Sequence, residues 1–98
     1  MIKLRSYQLA VEFYRDCKVI RLPGPLQDQL KRASSSIALN LAEGYGKRSR
    51  KDRERFFSIA FGSIRECQSI ADLEPEQFRS LNGKLDHLAA SVYRLIHG

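Results

Sequence analysis

The chain has 98 residues, the length of one domain spanning 1–98, with 43% hydrophobic and 29% charged residues and a formal net charge of +6. That balance excludes a disordered chain, and no apolar run approaches the ~20 residues a membrane helix needs. No secretory signal pattern opens the sequence, so a cytoplasmic protein is expected, and its excess positive charge points to a polyanion, nucleic acid before anionic membrane.

The first helix is predicted from about Lys3 to Ile20. Leu4, Tyr7, Ala10, Val11, Tyr14 and Cys17 fall on one face at three- and four-residue spacing. Ser6 is an alternative cap that would start the helix at Tyr7. Arg21-Leu-Pro-Gly-Pro25 ends it, because proline lacks an amide donor and disfavours helix at the preceding residue.

Pro25 also suits the first position of a second helix, predicted from Leu26 to about Gly44. Leu30, Ala33, Ile37, Leu41 and Gly44 form its inward stripe, with Asn40 at the edge. Arg32, Ser36, Leu39 and Glu43 share another face, where Leu39 is an oddity for a single copy. Ser34 to Ser36 are small and allow a neighbouring helix to come close. Gly44 and Gly46 are expected to supply the backbone angles that stop the helix.

Ser49 is a plausible N-cap for a third helix, Arg50 to Leu73, with Asp52 three residues on. Phe56, Ile59, Ala60, Ser63, Ile64, Cys67, Ile70 and Ala71 keep a heptad-like spacing. Phe57 and Phe61 widen the apolar sector to about 200°, nearly twice the usual width. A helix that wide calls for two partners, the domain's own core and a second subunit. Leu39, Phe57 and Phe61 are therefore the expected oligomer contacts.

Glu74-Pro75 breaks this helix, and Pro75 opens a fourth to about Ile96, with Asn82-Gly83 as a weak point where it kinks or splits. Four amphipathic helices with short connections imply an all-α, antiparallel up-down-up-down four-helix bundle.

The sharpest chemical signal is the basic run Lys47, Arg48, Arg50, Lys51, Arg53 and Arg55, set against Asp52 and Glu54. Lysine and arginine on a loop and a helix start bind phosphates by charge and donor geometry without reading sequence. Tyr45 beside them could stack on a base. The bland alternative is a solvated loop whose cations pair with Glu43, Asp52 and Glu54.

Glu43 and Glu66 lack the Glu-x-x-His partners of a di-metal bundle, so they are read as acceptors for Arg32 or another arginine at the bundle edge. Asn40 is read as a register-fixing polar group. Cys17 and Cys67 have no metal-ligand spacing and no histidine at a partner spacing, which fits free, buried thiols in a reducing compartment. No set of acid, base, nucleophile and metal ligands converges, so neither an enzyme nor a cofactor is expected.

Gln29-Leu30-x-Arg32-Ala33-x-x-Ser36-Ile37-x-x-Asn40-x-Ala42-Glu43-Gly44 resembles the signature of the small bacterial four-helix-bundle protein family. So do Arg48, Phe56 with Phe57, Ile59-Ala60, and Gly62-Ser63-Ile64-x-Glu66. That family includes proteins encoded in intervening sequences of large-subunit ribosomal RNA genes and the accessory protein of diversity-generating retroelements. The resemblance covers about Leu4 to Leu73. It implies a ring-like homopentamer with a basic surface, and in the retroelement branch a reverse transcriptase and nucleic acid as partners. Arg32, Asn40, Glu43 and Glu66 would be structural or interface positions, and Arg48 with its neighbours the basic surface. The chain departs from the family after Leu73, where a longer connection is cut to Glu74-Pro75-Glu76. The expected function is a non-enzymatic, homo-oligomeric protein that binds RNA or DNA. The alternative is an adaptor that docks on an enzyme partner and needs no nucleic acid.

Overall fold

A computed structural model describes residues 4–98 of the protein. These residues are all-helical, in an envelope of 40 × 25 × 22 Å. The helices are α1 (Arg5–Cys17), α2 (Leu26–Tyr45), α3 (Arg50–Leu73), the one-turn α4 (Pro75–Phe78) and α5 (Asn82–His97). α2 packs on α1 and α3, and α5 packs on α3 and α1. Phe13, Phe78, Leu30, Ile37, Leu41, Ile64, Leu85, Leu88 and Val92 fill the space between them. Removing each such side chain from water stabilises the fold by about 1.5–3 kcal/mol.

α3 keeps the expected limits because its start is chemically marked. Ser49 sits in extended backbone and its Oγ accepts from the Asp52 amide at 3.1 Å. α2 also follows its predicted stripe: Leu30, Ala33, Ile37, Leu41 and Gly44 are all buried. It begins at Leu26, directly after Pro25, which takes the position before the first helical residue and makes no side-chain capping bond. Gly24, at φ +52°, makes the preceding turn, and the Gln27 side chain accepts from the Leu22 amide at 2.7 Å.

α1 is rotated from its expected face. Ser6, Leu9, Ala10, Phe13 and Cys17 are buried, whereas Tyr7, Val11 and Tyr14 are half-buried and Leu4 is exposed. Leu9 and Phe13 remove more apolar surface from water than Val11 does, and the rim position keeps the Tyr14 hydroxyl wet. The helix ends at Cys17, short of Ile20; its expected start at Lys3 lies outside the described residues. Ser6 is not the cap. It lies inside the first turn, and its hydroxyl hydrogen-bonds that of Ser91 on α5.

The fourth helix is split before Asn82 rather than at Asn82-Gly83. Pro75 begins a single turn that buries Phe78, Leu81 follows in a turn, and α5 starts afresh. Ser80, Asn82 and Gly83 are weak helix formers clustered at the break.

Gly44 and Gly46 do not stop α2 through unusual angles, since neither has a positive φ. Gly46 ends the helix in ordinary right-handed geometry. Gly44 instead permits close contact: a Cβ there would meet Cε1 of Phe57 at 2.6 Å. Phe57 itself, expected at a subunit contact, is 5% exposed and belongs to the core of the single chain.

Pairs of contacts fix which helix ends lie together. Ser6 at the start of α1 meets Ser91 near the end of α5, while Lys84 at the start of α5 reaches Asp16 at the end of α1. Gly44 near the end of α2 meets Phe57 near the start of α3. Midway, the Ser63 hydroxyl donates to Ser36 Oγ at 2.9 Å. Tyr45 at the end of α2 lies beside Ser6 of α1, which joins the two pairs, so the start of α1, the end of α2, the start of α3 and the end of α5 share one end of the molecule.

Candidate functional site

That shared end holds the basic run. Arg5, Lys47, Arg48, Arg50, Lys51, Arg53, Arg55 and Arg94 gather there against Glu43, Asp52 and Glu54. Towards the opposite end, acids and bases are mixed: Asp16, Asp28, Asp72, Glu74, Glu76 and Asp86 lie among Lys18, Arg21, Lys31, Arg79 and Lys84.

The six residues of the run do different things. Arg53 is structural in part. Its Nε donates to the Lys47 carbonyl at 2.9 Å and its Nη2 to the Arg48 carbonyl at 3.0 Å, so one planar guanidinium holds both carbonyls of the α2–α3 turn. Lys47 pairs with Glu43 at 3.1 Å and sits 5.2 Å from the centroid of the Phe56 ring. Arg55 approaches the same ring at 5.1 Å. Arg50 pairs with Glu54 at 3.1 Å, one helical turn on. Arg48 and Lys51 are exposed and make no ion pair among the described residues. They stand beside a turn that Arg53, Ser49 and Gly46 hold in one shape. Two exposed charges, one on a fixed turn and one at the start of the helix that follows it, can each take a phosphate oxygen.

Tyr45 is not free to stack on a base. It is half-buried, edge-on to Phe57 with ring centroids 5.0 Å apart, and burial pushes its phenol above the ordinary tyrosine value.

Asn40 donates from Nδ2 to the Ser36 carbonyl at 2.9 Å and to Ser36 Oγ at 3.0 Å. It orients Ser36, and Ser36 makes the cross-link to Ser63. The register signal is thus shared by three small polar residues. Glu43 finds a lysine, Lys47, and not Arg32. Arg32 and Glu66 are exposed and make no ion pair among the described residues.

On the outer side of the α2–α3 pair, Leu39 is 68% and Ile59 45% exposed. Arg32, Glu43, Gly62 and Glu66 share that side by helical spacing. Phe61 is elsewhere. It lies on the α5 side of α3, half-buried, against Tyr93.

Cys17 and Cys67 are free and buried. Burial pushes the Cys17 thiol up to about 12, with the Asp16 charge adding to this and Ser34 opposing it; burial raises Cys67 as well. Neither is a nucleophile in that state. Among the described residues no three His, Cys, Asp or Glu side chains gather to hold a metal, and no helix is long and apolar enough to cross a membrane.

Sequence reasoning locates the basic run but misses the division of labour within it. Arg53 reaches back five and six residues across a turn, and no helical spacing announces such a contact. The cations on Phe56 are equally hidden, because its spacing places Phe56 in the core.

A family model described as 23S rRNA-intervening sequence protein matches residues 2–94. No curated protein matches the chain.

Proposed function

The chain belongs to the 23S rRNA-intervening sequence protein family, and from that premise we propose a non-enzymatic, homo-oligomeric, cytoplasmic protein that binds nucleic acid through its basic end. Its scaffold in this reading is an antiparallel up-down-up-down four-helix bundle of one domain. The observation that carries the reading is the pair Arg48 and Lys51, uncompensated cations on the α2–α3 turn and on the first turn of α3, where Arg53 holds the Lys47 and Arg48 carbonyls. Cations of this kind bind phosphates without sequence preference, and they let go as salt displaces them.

The test is binding to RNA and to DNA at two salt concentrations, for wild type and for Arg48→Glu with Lys51→Glu. The variant should bind both more weakly, with a salt slope shallower by about one for every phosphate it no longer holds. Equal affinities and slopes in the two proteins would remove the reading.

Self-assembly is supported by the Leu39 and Ile59 side. A monomer seldom leaves two large aliphatic side chains together in water on one smooth face. Gly62 lies among them, in the middle of α3, where an added Cβ would meet nothing within 4 Å. A mid-helix glycine costs about 0.5–1 kcal/mol relative to alanine, and nothing in its own chain repays it. A second copy pressed against this side would. Arg32 and Glu66 would then be rim charges, and the resemblance gives five copies in a ring. Light scattering should report an oligomer for wild type and a smaller mass for Leu39→Glu.

A second reading draws on the same face: an adaptor that docks Leu39 and Ile59 on an enzyme partner such as a reverse transcriptase. Capture of that partner after nuclease treatment, abolished in Leu39→Glu, would favour it.

A further inference from the structure

On the α5 side of α3, four groups stand in line. The Arg65 guanidinium lies 5.7 Å from the Phe61 ring centroid, Phe61 lies 6.1 Å from Tyr93, and Tyr93 lies 4.2 Å from the His97 imidazole. Tyr93 is 46% exposed, and Arg65 and His97 are exposed as well. Phe61 packs against the core, but the core leaves Tyr93 and His97 in water. An aromatic packed for the core alone is covered, as Phe13 and Phe78 are.

The line leads to the basic end. His97 is one helical turn beyond Tyr93 in that direction. On α3, Arg50, Glu54, Phe61 and Arg65 follow one stripe at helical spacing. Arg50 and Phe61 are about 16 Å apart along the axis at 1.5 Å per residue. That distance spans about five stacked nucleotides at 3.4 Å each. The charge is favourable along the whole way. Arg65 and Arg94 flank the rings, and Glu54 is already paired with Arg50. The acids Asp72 and Asp86 border a separate cleft at the far end of α3 and α5.

We propose that Tyr93 and His97, backed by Phe61, form a stacking platform for unpaired bases, so that the nucleic acid held at the basic turn is single-stranded. The inference rests on the reading of that turn as a phosphate site. Rings with an open face stack on any base, and every base of a duplex is already stacked on its neighbours. Arg65 adds a cation over the first ring, which strengthens such platforms. A duplex would meet the cations of the turn and leave the rings unused.

The test compares labelled oligouridine with a duplex RNA of the same length. The proteins are wild type, Tyr93→Ala with His97→Ala, and Arg48→Glu with Lys51→Glu; both changed pairs are exposed, and circular dichroism verifies the fold. Wild type should prefer the single strand. The Tyr93→Ala, His97→Ala protein should bind the single strand about tenfold more weakly and the duplex as before, as expected when stacking is removed. Tyr93→Trp, in a chain that otherwise has no tryptophan, should keep the affinity and show fluorescence quenched by oligouridine but not by duplex.

Unchanged single-strand binding in the Tyr93→Ala, His97→Ala protein, with binding still weakened by Arg48→Glu and Lys51→Glu, overturns this inference and leaves the phosphate site standing. Binding unaffected by the charge reversals overturns the phosphate site itself. A change of oligomer mass in the Tyr93→Ala, His97→Ala protein without a change in binding assigns the rings to a protein contact and overturns the platform.

Discussion

Gly44 lies against the ring of Phe57, so near that a Cβ on Gly44 would stand 2.6 Å from Cε1 and 2.8 Å from Cδ1. Phe57 cannot swing away freely, because it is buried and Tyr45 packs edge-on against it. Gly44→Ala should therefore destabilise the protein: overpacking costs about 1–3 kcal/mol, and the gain in helix propensity offsets at most about 1 kcal/mol. Gly62→Ala, with open space around it, should stabilise the isolated subunit by about 0.5–1 kcal/mol. Urea unfolding at low protein concentration compares the two, and a gain in both would mean that α2 and α3 can move apart at no cost.

Arg53 should be separable from its basic neighbours. Arg53→Met removes the donors that hold the Lys47 and Arg48 carbonyls, and should cost about 1 kcal/mol, since both bonds are exposed to water. Arg53→Lys keeps the charge but not the fork, so it should recover only part of that. Arg48→Glu should leave thermal stability nearly unchanged. If Arg53→Met melts like wild type, the turn is held by other means.

Lys84 gives a pH signature. Its hydrogen bond to Asp16 at 2.6 Å, with desolvation opposing and the charges of Asp16 and Glu12 assisting, raises its ammonium above the ordinary value of 10.5. A cation whose value is raised by folding stabilises the native state fully below 10.5 and loses that contribution as pH rises through the higher folded value. Lys84→Met should be less stable than wild type at pH 7, by about 1 kcal/mol or less for so accessible a pair. The gap should close in strongly alkaline solution. A gap that stays constant with pH would show that Lys84 acts through its aliphatic stem.

The thiols report on opening of the core. With Cys17 pushed up to about 12 and both sulfurs covered, neither should react with a thiol reagent at pH 8 in the native protein. Both should react at once in denaturant. Fast labelling of the native protein would show that α1 and α3 expose their inner faces on that timescale.

The parts of this fold legible from sequence are those written in local chemistry. Ser49 and Asp52 mark the start of α3, and the Leu30-to-Gly44 stripe marks the inner side of α2. α1 is ambiguous because two stripes fit the helical period, one through Tyr7, Val11 and Tyr14 and the other through Leu9 and Phe13. Only packing against α2 and α5 decides between them. Phe57 and Phe61 read alike in sequence, yet Phe57 is core, packed on Gly44 and Tyr45 of α2, and Phe61 is rim, beside Tyr93 of α5. The basic run is visible as composition. That Arg53 holds the turn while Arg48 and Lys51 stay unpaired depends on the shape of a loop, which no spacing rule encodes.

Three of the four helix seams join helices linked by short connections; the fourth, α1 against α5, brings together the two ends of the described chain. Closing it means fixing the longest loop in the molecule, so it carries the largest loop-closure entropy of the four. The Ser6–Ser91 bond and the reach of Lys84 to Asp16 fasten that seam. Native-state hydrogen exchange would find the seam they fasten among the first to open, ahead of the α2–α3 hairpin that carries the basic turn.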